Sequence, residues 1–396
     1  MAEVLNKDAF ILPEGVIYLD GNSLGPMPKV VPARVQEVMT GEWAQMLIRA
    51  WNAAGWMAMP ERVGNSVGRL IGAPEGSIVM GDTLSIKVFQ ALSSAVKMRP
   101  DRKVILSDTG NFPSDLYMAE GLVGLLEQGY ELRTVAPEDV AGSMTDDIAV
   151  VMLTEVDYRT GRMHDMAAIT KLAQDNGSVM VWDLAHSAGA IPVDLAGSNC
   201  EFAVGCTYKY LNGGPGAPAF IYVRPDLADG ATPALSGWLG HRQPFDFDIN
   251  YTPAKGIERM RVGTPPILQM AALEAAMTVW EGVDMHDLRR DSLALQEQFI
   301  TEVERDVPQL TLASPRDGAV RGSQVSFRFE QGYAAMQAVI DRGVIGDFRA
   351  PDIMRFGFTP LYIDAADVSA AVAIIKDVMD NALWDTDKYK TRSRVT

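Results

Sequence analysis

Short apolar runs alternate with amphipathic stretches through the middle of the chain. Helical periodicity covers 83–98 and 166–177. Continuous apolar runs with the length of strands lie around these stretches, at 77–81, 103–107, 148–153, 178–183, 202–206 and 218–223. Strands that are apolar on both faces and separated by helices are typical of a mostly parallel sheet with helices on both sides. The pattern therefore predicts the α/β class, with a large domain built on such a sheet.

The chain has a second unit after about residue 285. A helical pattern over 291–307 is followed by the strand-like segments "QLTLA" and "SQVSFRFE", and a last helix is predicted over 367–383. This is a small α+β domain of roughly a hundred residues. The stretch 18–28, which is rich in Gly and Pro, is a predicted loop. We therefore predict three parts: an N-terminal arm over 1–50 that contributes to the small domain and the active site, a large ligand-binding domain over 51–285, and the small domain over 286–396.

Composition and charge narrow the classes of function. The 396 residues are 47% hydrophobic and 22% charged, as in ordinary soluble globular proteins. A formal net charge of −16 argues against nucleic-acid and anionic-membrane partners, whose binding depends on cationic residues. The sequence shows no apolar run that could span a bilayer and no secretory signal, and its two cysteines and four histidines give no disulfide framework or zinc-type cluster. We therefore expect a cytoplasmic protein without a metal site.

The stretch "CTYKYLNGG" places Lys209 between two tyrosines, after an apolar run and before the glycine-rich loop 212–218. Ligands bind near strand ends in α/β proteins, and glycines let the backbone approach them closely. A lysine whose pKa is depressed in such a place is a suitable Schiff-base nucleophile. An ordinary solvated lysine is the alternative from this stretch alone.

Asp183 ends the apolar run "SVMVW", 26 residues before Lys209. A carboxylate directly after a buried strand is unfavourable unless a cation or a hydrogen-bond donor meets it. An Asp that pairs with a protonated pyridine nitrogen, together with a Schiff-base lysine, is typical of pyridoxal phosphate (PLP) sites. His186, three residues further on, is placed to stack on such a ring or to bind its phosphate. Helix capping by Asp183 is the alternative.

The stretch "GDTLSIKVF" turns a strand into a helix through Asp82, Thr83 and Ser85. Hydroxyls and free backbone N–H groups at a helix start form an anion site. We interpret this stretch as a phosphate site, although simple helix capping explains Thr83 equally well.

Together with several further segments, these motifs resemble the kynureninases in their bacterial form, which are fold-type I PLP enzymes of the class V aminotransferase group. The resemblance covers essentially the whole chain. It rests on segments in matching order: "YLDGNSLGPMP", "LIRAWNAAGWMAMPERVG", "NFPSD", "DLAHSAGA", "CTYKYLNGGPGAPAF", "GWLGH", "VGTPPILQM" and "MRFGFTPLY". It implies the PLP-dependent transferase fold type I, with a large domain and a small α+β domain.

The resemblance also implies roles for individual residues. Lys209 is implied to bind PLP covalently, Asp183 to pair with the pyridine nitrogen, and Tyr208 to take part in proton transfers. Further cofactor contacts are implied for Leu84, Ser85, Phe112, Ser114, Asp115, Thr154, His186 and Tyr208, and across a dimer interface for Trp238 and Thr264. Arg355 is implied to hold the substrate α-carboxylate, and the segments of Asn22, Ser23 and Trp51 to face the substrate.

The chain departs from the bacterial pattern near the phosphate. Where that pattern typically reads D-S-T-S-V-N, this chain has "DTLSIK", so Leu84 replaces a hydroxyl residue and Lys87 replaces an amide. Leu84 can offer only backbone groups to a phosphate. Thr264 stands where animal members of the family carry Asn.

The implied reaction is hydrolysis of the Cβ–Cγ bond of L-kynurenine or 3-hydroxykynurenine, in tryptophan catabolism, to L-alanine and anthranilate or 3-hydroxyanthranilate. The implied partners are an amino-acid substrate and a second copy of the chain, in a homodimer. A cysteine desulfurase or selenocysteine lyase and a class V aminotransferase are alternatives within the same fold, and a PLP-free scaffold is an alternative of another class. A desulfurase needs a mobile reactive cysteine, whereas Cys200 and Cys206 lie beside a predicted buried strand, where inert thiols are the default.

Overall fold

The computed structural model describes residues 4–392, and its largest layer is a seven-stranded sheet. The strands are β1 (Ile17–Tyr18), β2 (Ile78–Met80), β3 (Val104–Asp108), β4 (Glu131–Val135), β5 (Ile148–Thr154), β6 (Val179–Asp183), β7 (Phe202–Gly205), β8 (Phe220–Val223), β9 (Thr311–Leu312), β10 (Gln324–Arg328), β11 (Val344–Ile345), β12 (Asp347–Arg349) and β13 (Ile353–Gly357). The helices are α1 (Val31–Glu37), α2 (Ala50–Ala53), α3 (Met59–Leu70), α4 (Leu84–Lys97), α5 (Pro113–Leu126), α6 (Met166–Asp175), α7 (Pro225–Ala228), α8 (Ile267–Ala276), α9 (Met285–Asp306), α10 (Gly332–Ile340), α11 (Ala365–Asp380) and α12 (Asp387–Lys390).

The large sheet has the strand order β2-β8-β7-β6-β5-β3-β4. Strand β8 runs antiparallel to both of its neighbours, and the remaining pairs are parallel. Successive residues of β6 face opposite sides of the sheet: Val179 and Val181 pack in the cluster that includes helix α4, whereas Met180 and Trp182 pack in the cluster that includes α3. A sheet buried on both faces in this way confirms the predicted α/β class with a mostly parallel sheet.

A second, antiparallel sheet has the order β12-β13-β10-β9 and packs against helix α9. Phe299 of α9 contacts the rings of Phe327, Phe356 and Phe358, with centroid distances of 6.0, 5.1 and 5.1 Å. Strand β1 pairs with β11, so the N-terminal segment joins this second unit. The division into 1–50, 51–285 and 286–396 stays a prediction.

Helix α9 and strand β4 are among the elements that differ from what the sequence pattern indicated. Helix α9 begins at Met285, before the predicted start at 291, because the Asp284 carboxylate caps it by accepting from the N–H groups of His286 at 2.7 Å and Asp287 at 3.2 Å. Strand β4 was not predicted. It lies at the sheet edge with its residues exposed or half-buried, so its sequence "ELRTV" carries no continuous apolar run.

Candidate cofactor and substrate site

A pocket lies at the carboxyl ends of β5 and β6, where α/β proteins commonly bind ligands. It contains every predicted cofactor residue except Trp238 and Thr264. The lining residues come from the starts of α4 and α5, the ends of β5 and β6, and the loop after β7: Leu84, Ser85, Phe112, Ser114, Asp115, Thr154, Tyr158, Asp183, Ala185, His186, Tyr208 and Lys209. The fold therefore collects residues that are distant in sequence around one lysine.

Two helix starts form one wall of the pocket. Helix α4 begins at Leu84 and helix α5 at Pro113, and the residue before each helix is extended. Ser85 Oγ lies 2.9 Å from Ser114 Oγ, which brings the two helix starts together. Because the first N–H groups of a helix have no partner within the helix, this wall is suited to an anion such as phosphate.

Lys87, the departure in the phosphate segment, does not line the pocket. Its side chain is fully buried and donates to Gln90 Oε1 at 2.9 Å and to the Met260 carbonyl at 3.2 Å. The Asp82 carboxylate lies 3.5 Å from its ammonium, and burial lowers the pKa of Lys87 to about 8. Lys87 is therefore a core cation on helix α4 and not a phosphate ligand in this arrangement.

Lys209 faces two carboxyl groups. Burial lowers the pKa of Lys209, which favours the neutral, nucleophilic amine. Burial raises the pKa of Asp183, and this shift is opposed by Lys209 and by the Ala185 N–H, 2.9 Å from Oδ1. The pKa of Asp115 is raised well above its usual value, first by burial and then by Asp183. The two carboxyl groups therefore influence each other, and burial favours the protonated form of both, more strongly for Asp115 than for Asp183.

His186 is neutral and is held by a residue of the second sheet. Burial, with a smaller contribution from Lys209, lowers the pKa of His186 well below its usual value. Gln324 of β10 places Oε1 3.0 Å from His186 Nδ1 and donates from Nε2 to the Tyr158 carbonyl at 3.1 Å. Because an amide oxygen can only accept, Nδ1 carries the ring proton and Nε2 is left as an acceptor.

Arg355 lies on β13 beside the pocket and is only 1% exposed. Its Nε and Nη2 donate to the two carboxylate oxygens of Asp347, at 2.7 and 2.5 Å. Its Nη1 donates to the carbonyl of Tyr158 at 2.5 Å. The bidentate partner of this arginine in the structure is therefore Asp347 of β12.

The N-terminal arm reaches the same cluster. Ser23 donates to Asp347 at 2.6 Å and accepts from Arg355 at 2.9 Å. Asn22 is fully buried, and its amide atoms have no hydrogen-bond partner among residues 4–392. An unpaired buried amide is expected where a polar atom of a ligand completes the site.

Besides the cluster of Arg355, Asn22 and Ser23, three more predicted site residues lie outside the pocket lining: Trp51, Trp238 and Thr264. Trp51 packs edge-on against Trp56 at 5.6 Å, and the buried Trp56 indole donates to Glu42 at 2.6 Å. Trp238 is 42% exposed, and Thr264 is exposed. The expected contacts of Trp238 and Thr264 across a dimer interface stay a prediction.

Besides Ala185 of the pocket lining, sequence reasoning missed Tyr158, Gln324, Asp347 and Arg349. Tyr158 lines the pocket and packs edge-on against Phe112 at 5.1 Å. Gln324, Asp347 and Arg349 come from the second sheet, whose approach to the pocket no local pattern indicates. A signal for two of them was present in "DFRAPD", which carries an acid and an arginine shortly before the predicted carboxylate-binding arginine.

The arrangement fits PLP, whose aldehyde, ring and phosphate each need a different partner. Lys209 offers an amine, and the helix starts offer N–H groups to a phosphate. Asp115 Oδ2 is buried without a partner in the described part of the chain, so the acid pair can accept a further polar contact. Phe112 keeps 43% of its side chain exposed, with its ring centre 5.9 Å from Lys209 Nζ, so an apolar face is available to a planar ring.

Residues 4–392 contain neither a metal-binding cluster nor a membrane-spanning helix. No group of three or more His, Cys, Asp or Glu side chains in this range is placed to hold a metal ion. Within the same range, no helix has both the length and the apolar character needed to cross a bilayer.

The chain is similar in sequence to known kynureninases. The family model for the kynureninase C-terminal domain matches residues 288–375. The chain is 51% identical to the kynureninase of Pseudomonas fluorescens, over 98% of this chain and 95% of that relative. It is 48% identical, over the same shares of both chains, to the kynureninase of Burkholderia pseudomallei strain 1106a.

Solved structures share the fold at low identity. A cysteine desulfurase from Thermococcus onnurineus NA1 superposes with a TM-score of 0.80 and 19% identity, over 95% of this chain and 97% of that one. A C-DES mutant with glycine covalently linked to its PLP cofactor gives a TM-score of 0.80 and 15% identity, over 94% and 99%. These likenesses concern the fold alone and confirm the predicted fold type I.

Proposed function

Because the chain belongs to the kynureninase family, we propose that it hydrolyses the Cβ–Cγ bond of L-kynurenine to anthranilate and L-alanine. It is a PLP-dependent hydrolase that acts on carbon–carbon bonds. The observation that carries the proposal is the convergence of Lys209, Asp183 and two helix starts in one pocket. Turnover of 3-hydroxykynurenine and a role in tryptophan catabolism belong to the same proposal.

Each part of PLP has a partner in this pocket. Lys209 binds the cofactor covalently, and the Asp183 carboxylate pairs with its pyridine nitrogen. Phe112 and His186 would lie against the ring, and Asp115 and Thr154 against its polar edge. The phosphate would be held by Ser85, Ser114, Tyr208 and backbone groups at Leu84, with Trp238 and Thr264 contributed by the second subunit.

PLP, when bound, accepts the electron pair left on Cα when a proton is removed. The protein moves the protons. Burial lowers the pKa of Lys209, which favours the unprotonated Nζ that a base for the Cα proton needs. The pKa of Tyr208 is raised, first by Cys206 and then by burial, so Tyr208 stays a phenol that can donate a proton beside the carbonyl attacked by water.

The substrate is held on the side of the second sheet. Arg355 is the predicted partner of the α-carboxylate, as a guanidinium at this place in the family suggests, although its two-pronged contact in the structure is with Asp347. Asn22 and Ser23 offer an amide and a hydroxyl from the N-terminal arm, and the unpaired amide of Asn22 is available to the substrate. Trp51 faces the aryl end of the substrate.

The active enzyme is proposed to be a cytoplasmic homodimer with the site at the interface. Trp238 packs edge-on against Phe245 at 5.7 Å, and Phe245, Phe247 and Ile249 are 60%, 76% and 97% exposed. Exposed apolar patches of this kind mark protein–protein contacts, and a second copy would cover this one. Sedimentation of the holoenzyme tests the dimer directly.

The two cysteines of the chain argue against the desulfurase alternative. Cys200 and Cys206 are both buried, and burial raises the pKa of each thiol. A reactive cysteine needs an accessible site and a depressed pKa.

The test is to incubate the purified protein with PLP and L-kynurenine and to follow anthranilate fluorescence and alanine formation. Parallel reactions with L-cysteine, assayed for sulfide, and with an oxo acid and an amino donor test the alternatives. Lys209→Ala should abolish turnover, whereas Lys97→Ala, at an exposed position of α4, should leave it intact. Absence of anthranilate, or turnover that survives Lys209→Ala, contradicts the proposal.

A further inference from the structure

Two arginines of the second sheet share one carboxylate beside the pocket. Asp347 of β12 is paired across the sheet with Arg355 of β13. Arg355 donates to both of its oxygens, and Arg349 Nη2 lies 2.7 Å from Oδ2. Ser23 also donates to Oδ2, at 2.6 Å, and so ties the N-terminal arm to this cluster.

Arg355 has little left to offer an incoming carboxylate. Each of its guanidinium nitrogens already has an acceptor: Asp347 for Nε and Nη2, Ser23 for Nη2 as well, and the Tyr158 carbonyl for Nη1. Only 1% of its side chain is exposed. Its charge is balanced by Asp347 before a substrate arrives, so Arg355 by itself presents an ion pair and not a free cation.

Arg349 is the cation of the cluster that a ligand can reach. Its side chain is 32% exposed, compared with 2% for Asp347. Besides Asp347 it has two weaker acceptors, the Phe348 carbonyl for Nη1 at 3.0 Å and Ser23 Oγ for Nη2 at 3.4 Å. Its charge acts on the pocket, because Arg349 and Arg355 both contribute to the lowered pKa of Lys209 and of His186. Two guanidinium groups face one ionised carboxylate, so the cluster carries an excess of positive charge.

A nearby acid offsets this excess only in part. Burial and the neighbouring Asp347 raise the pKa of Asp20 to about 7, which reduces the negative charge that Asp20 contributes at neutral pH. Asp347 is shared by both guanidinium groups, because Arg355 meets both of its oxygens and Arg349 lies 2.7 Å from Oδ2. The cluster of Arg349, Arg355 and Asp347 therefore carries a net positive charge, and Arg349 is its more exposed cation.

We propose that Arg349 binds the α-carboxylate of the amino-acid substrate together with Arg355, and that Asp347 holds the two guanidinium groups at a fixed separation. This rests on the proposed function, which supplies a substrate with an α-carboxylate. Arg349 contributes the positive charge that exceeds the negative charge of Asp347, and Arg355 fixes the orientation of the α-carboxylate.

The test compares Arg349→Met, which removes the charge, with Arg349→Lys, which keeps the charge but not the planar fork. The matched control is Arg328→Met, because Arg328 lies on β10 of the same sheet, is 51% exposed and pairs with Asp352 at 3.2 Å. KM and kcat are measured with L-kynurenine. Affinities for L-alanine and for ethylamine, which is alanine without its carboxylate, are measured from the visible absorbance of bound PLP.

Arg349→Met should raise KM and the L-alanine Kd by about 10- to 100-fold, the value of one hydrogen bond to a charged group, with kcat changed by less than about threefold. Ethylamine affinity should not change, Arg349→Lys should lie in between, and Arg328→Met should match the parent. A change below about twofold in KM and in the L-alanine Kd, or an equal loss of ethylamine affinity, overturns the proposal.

Different measurements test the kynurenine assignment and the role of Arg349. A parent enzyme that releases no anthranilate contradicts the kynurenine assignment, while the L-alanine and ethylamine titrations still test Arg349, because they need bound PLP and no turnover. The melting temperature and the PLP absorbance before ligand addition check that each variant is folded and loaded. If Arg349→Met loses PLP, Arg349→Lys decides the question by the same ratio of L-alanine to ethylamine affinity.

Discussion

His186 Nδ1 donates to Gln324 Oε1 at 3.0 Å, across the junction between the large sheet and the antiparallel sheet. The amide orientation is fixed from its other end, where Nε2 donates to the Tyr158 carbonyl at 3.1 Å. One side chain of the second unit therefore sets the tautomer of a histidine at the cofactor pocket. It also holds the backbone of a residue that lines this pocket.

Gln324→Leu should weaken PLP binding. It leaves the buried Nδ1–H of His186 without an acceptor, and an unpaired buried polar group costs roughly 1–3 kcal/mol, so we expect the PLP Kd to rise by about 5- to 100-fold. Titration of the apoenzyme with PLP measures this. Gln309→Ala, at an exposed position, is the control and should have no effect. An unchanged PLP Kd in Gln324→Leu would mean that the cofactor does not depend on the orientation of His186.

The residues that the large sheet contributes to the site could be predicted, because short stretches of sequence around them carry the signal. Lys209 and Asp183 each follow a continuous apolar run, and such runs mark buried strands whose ends carry ligand sites. Gln324, Asp347 and Arg349 could not be predicted in this way. Their side chains come from a second sheet, and only tertiary packing brings them to the pocket.

The N-terminal arm could be predicted only in part. The motif "GNSLG" indicated that the arm lies near the site, but only the structure shows why a glycine is needed at position 25. A Cβ on Gly25 would lie 2.3 Å from the Lys209 carbonyl oxygen and 2.6 Å from Asn212 Nδ2. The arm therefore packs directly on the backbone of the lysine loop, a contact between segments far apart in the sequence.

Gly25→Ala should displace the lysine loop. The added methyl group meets backbone atoms, which cannot move aside as a flexible side chain would, and we expect a loss of about 1–3 kcal/mol in the free energy of unfolding. We also expect less covalent attachment of PLP, seen in the visible absorbance of the holoenzyme. Gly41→Ala is the matched control, because a Cβ there meets nothing within 4 Å. Equal stability and PLP content in both variants would contradict the close approach at Gly25.

Asp20 should make carboxylate binding depend on pH near neutrality. Burial, then the charge of Asp347, raises the pKa of Asp20 to about 7, while Arg355, Ser23 and Arg349 oppose the shift. A bound α-carboxylate adds negative charge close by and favours protonated Asp20, so binding takes up protons and affinity falls as pH rises through about 7. Asp20→Asn stays neutral and should lose this part of the fall.

The pH effect is read as the ratio of L-alanine Kd values in Asp20→Asn and in the parent enzyme, from about pH 6 to pH 8. Titration of the ligand amine and of the cofactor is common to both proteins and cancels in the ratio. A ratio that does not change with pH would assign the pH dependence to other groups.

Lys87 should leave a signature in the pH dependence of stability. Its pKa is lowered to about 8 in the folded protein, first by burial, with Arg261 adding to the shift and Asp82 opposing it, from 10.5 for an unperturbed lysine. Below about pH 8 both states are protonated and the cost of burying the charge is fully present. As pH rises towards 10.5 the folded state loses its proton first, so the free energy of unfolding should rise by on the order of 3 kcal/mol.

Lys87→Met should abolish that rise. At pH 7 the variant loses the hydrogen bonds to Gln90 and Met260 but also the buried charge, so we expect its stability there to stay within about 2 kcal/mol of the parent. Denaturant unfolding of both proteins between about pH 7 and pH 10 gives a difference curve that isolates Lys87 from groups common to both. Lys97→Met, at an exposed position of α4, provides the control and should follow the parent at every pH. A difference curve that stays flat across this range would show that the Lys87 ammonium is not desolvated in the folded protein.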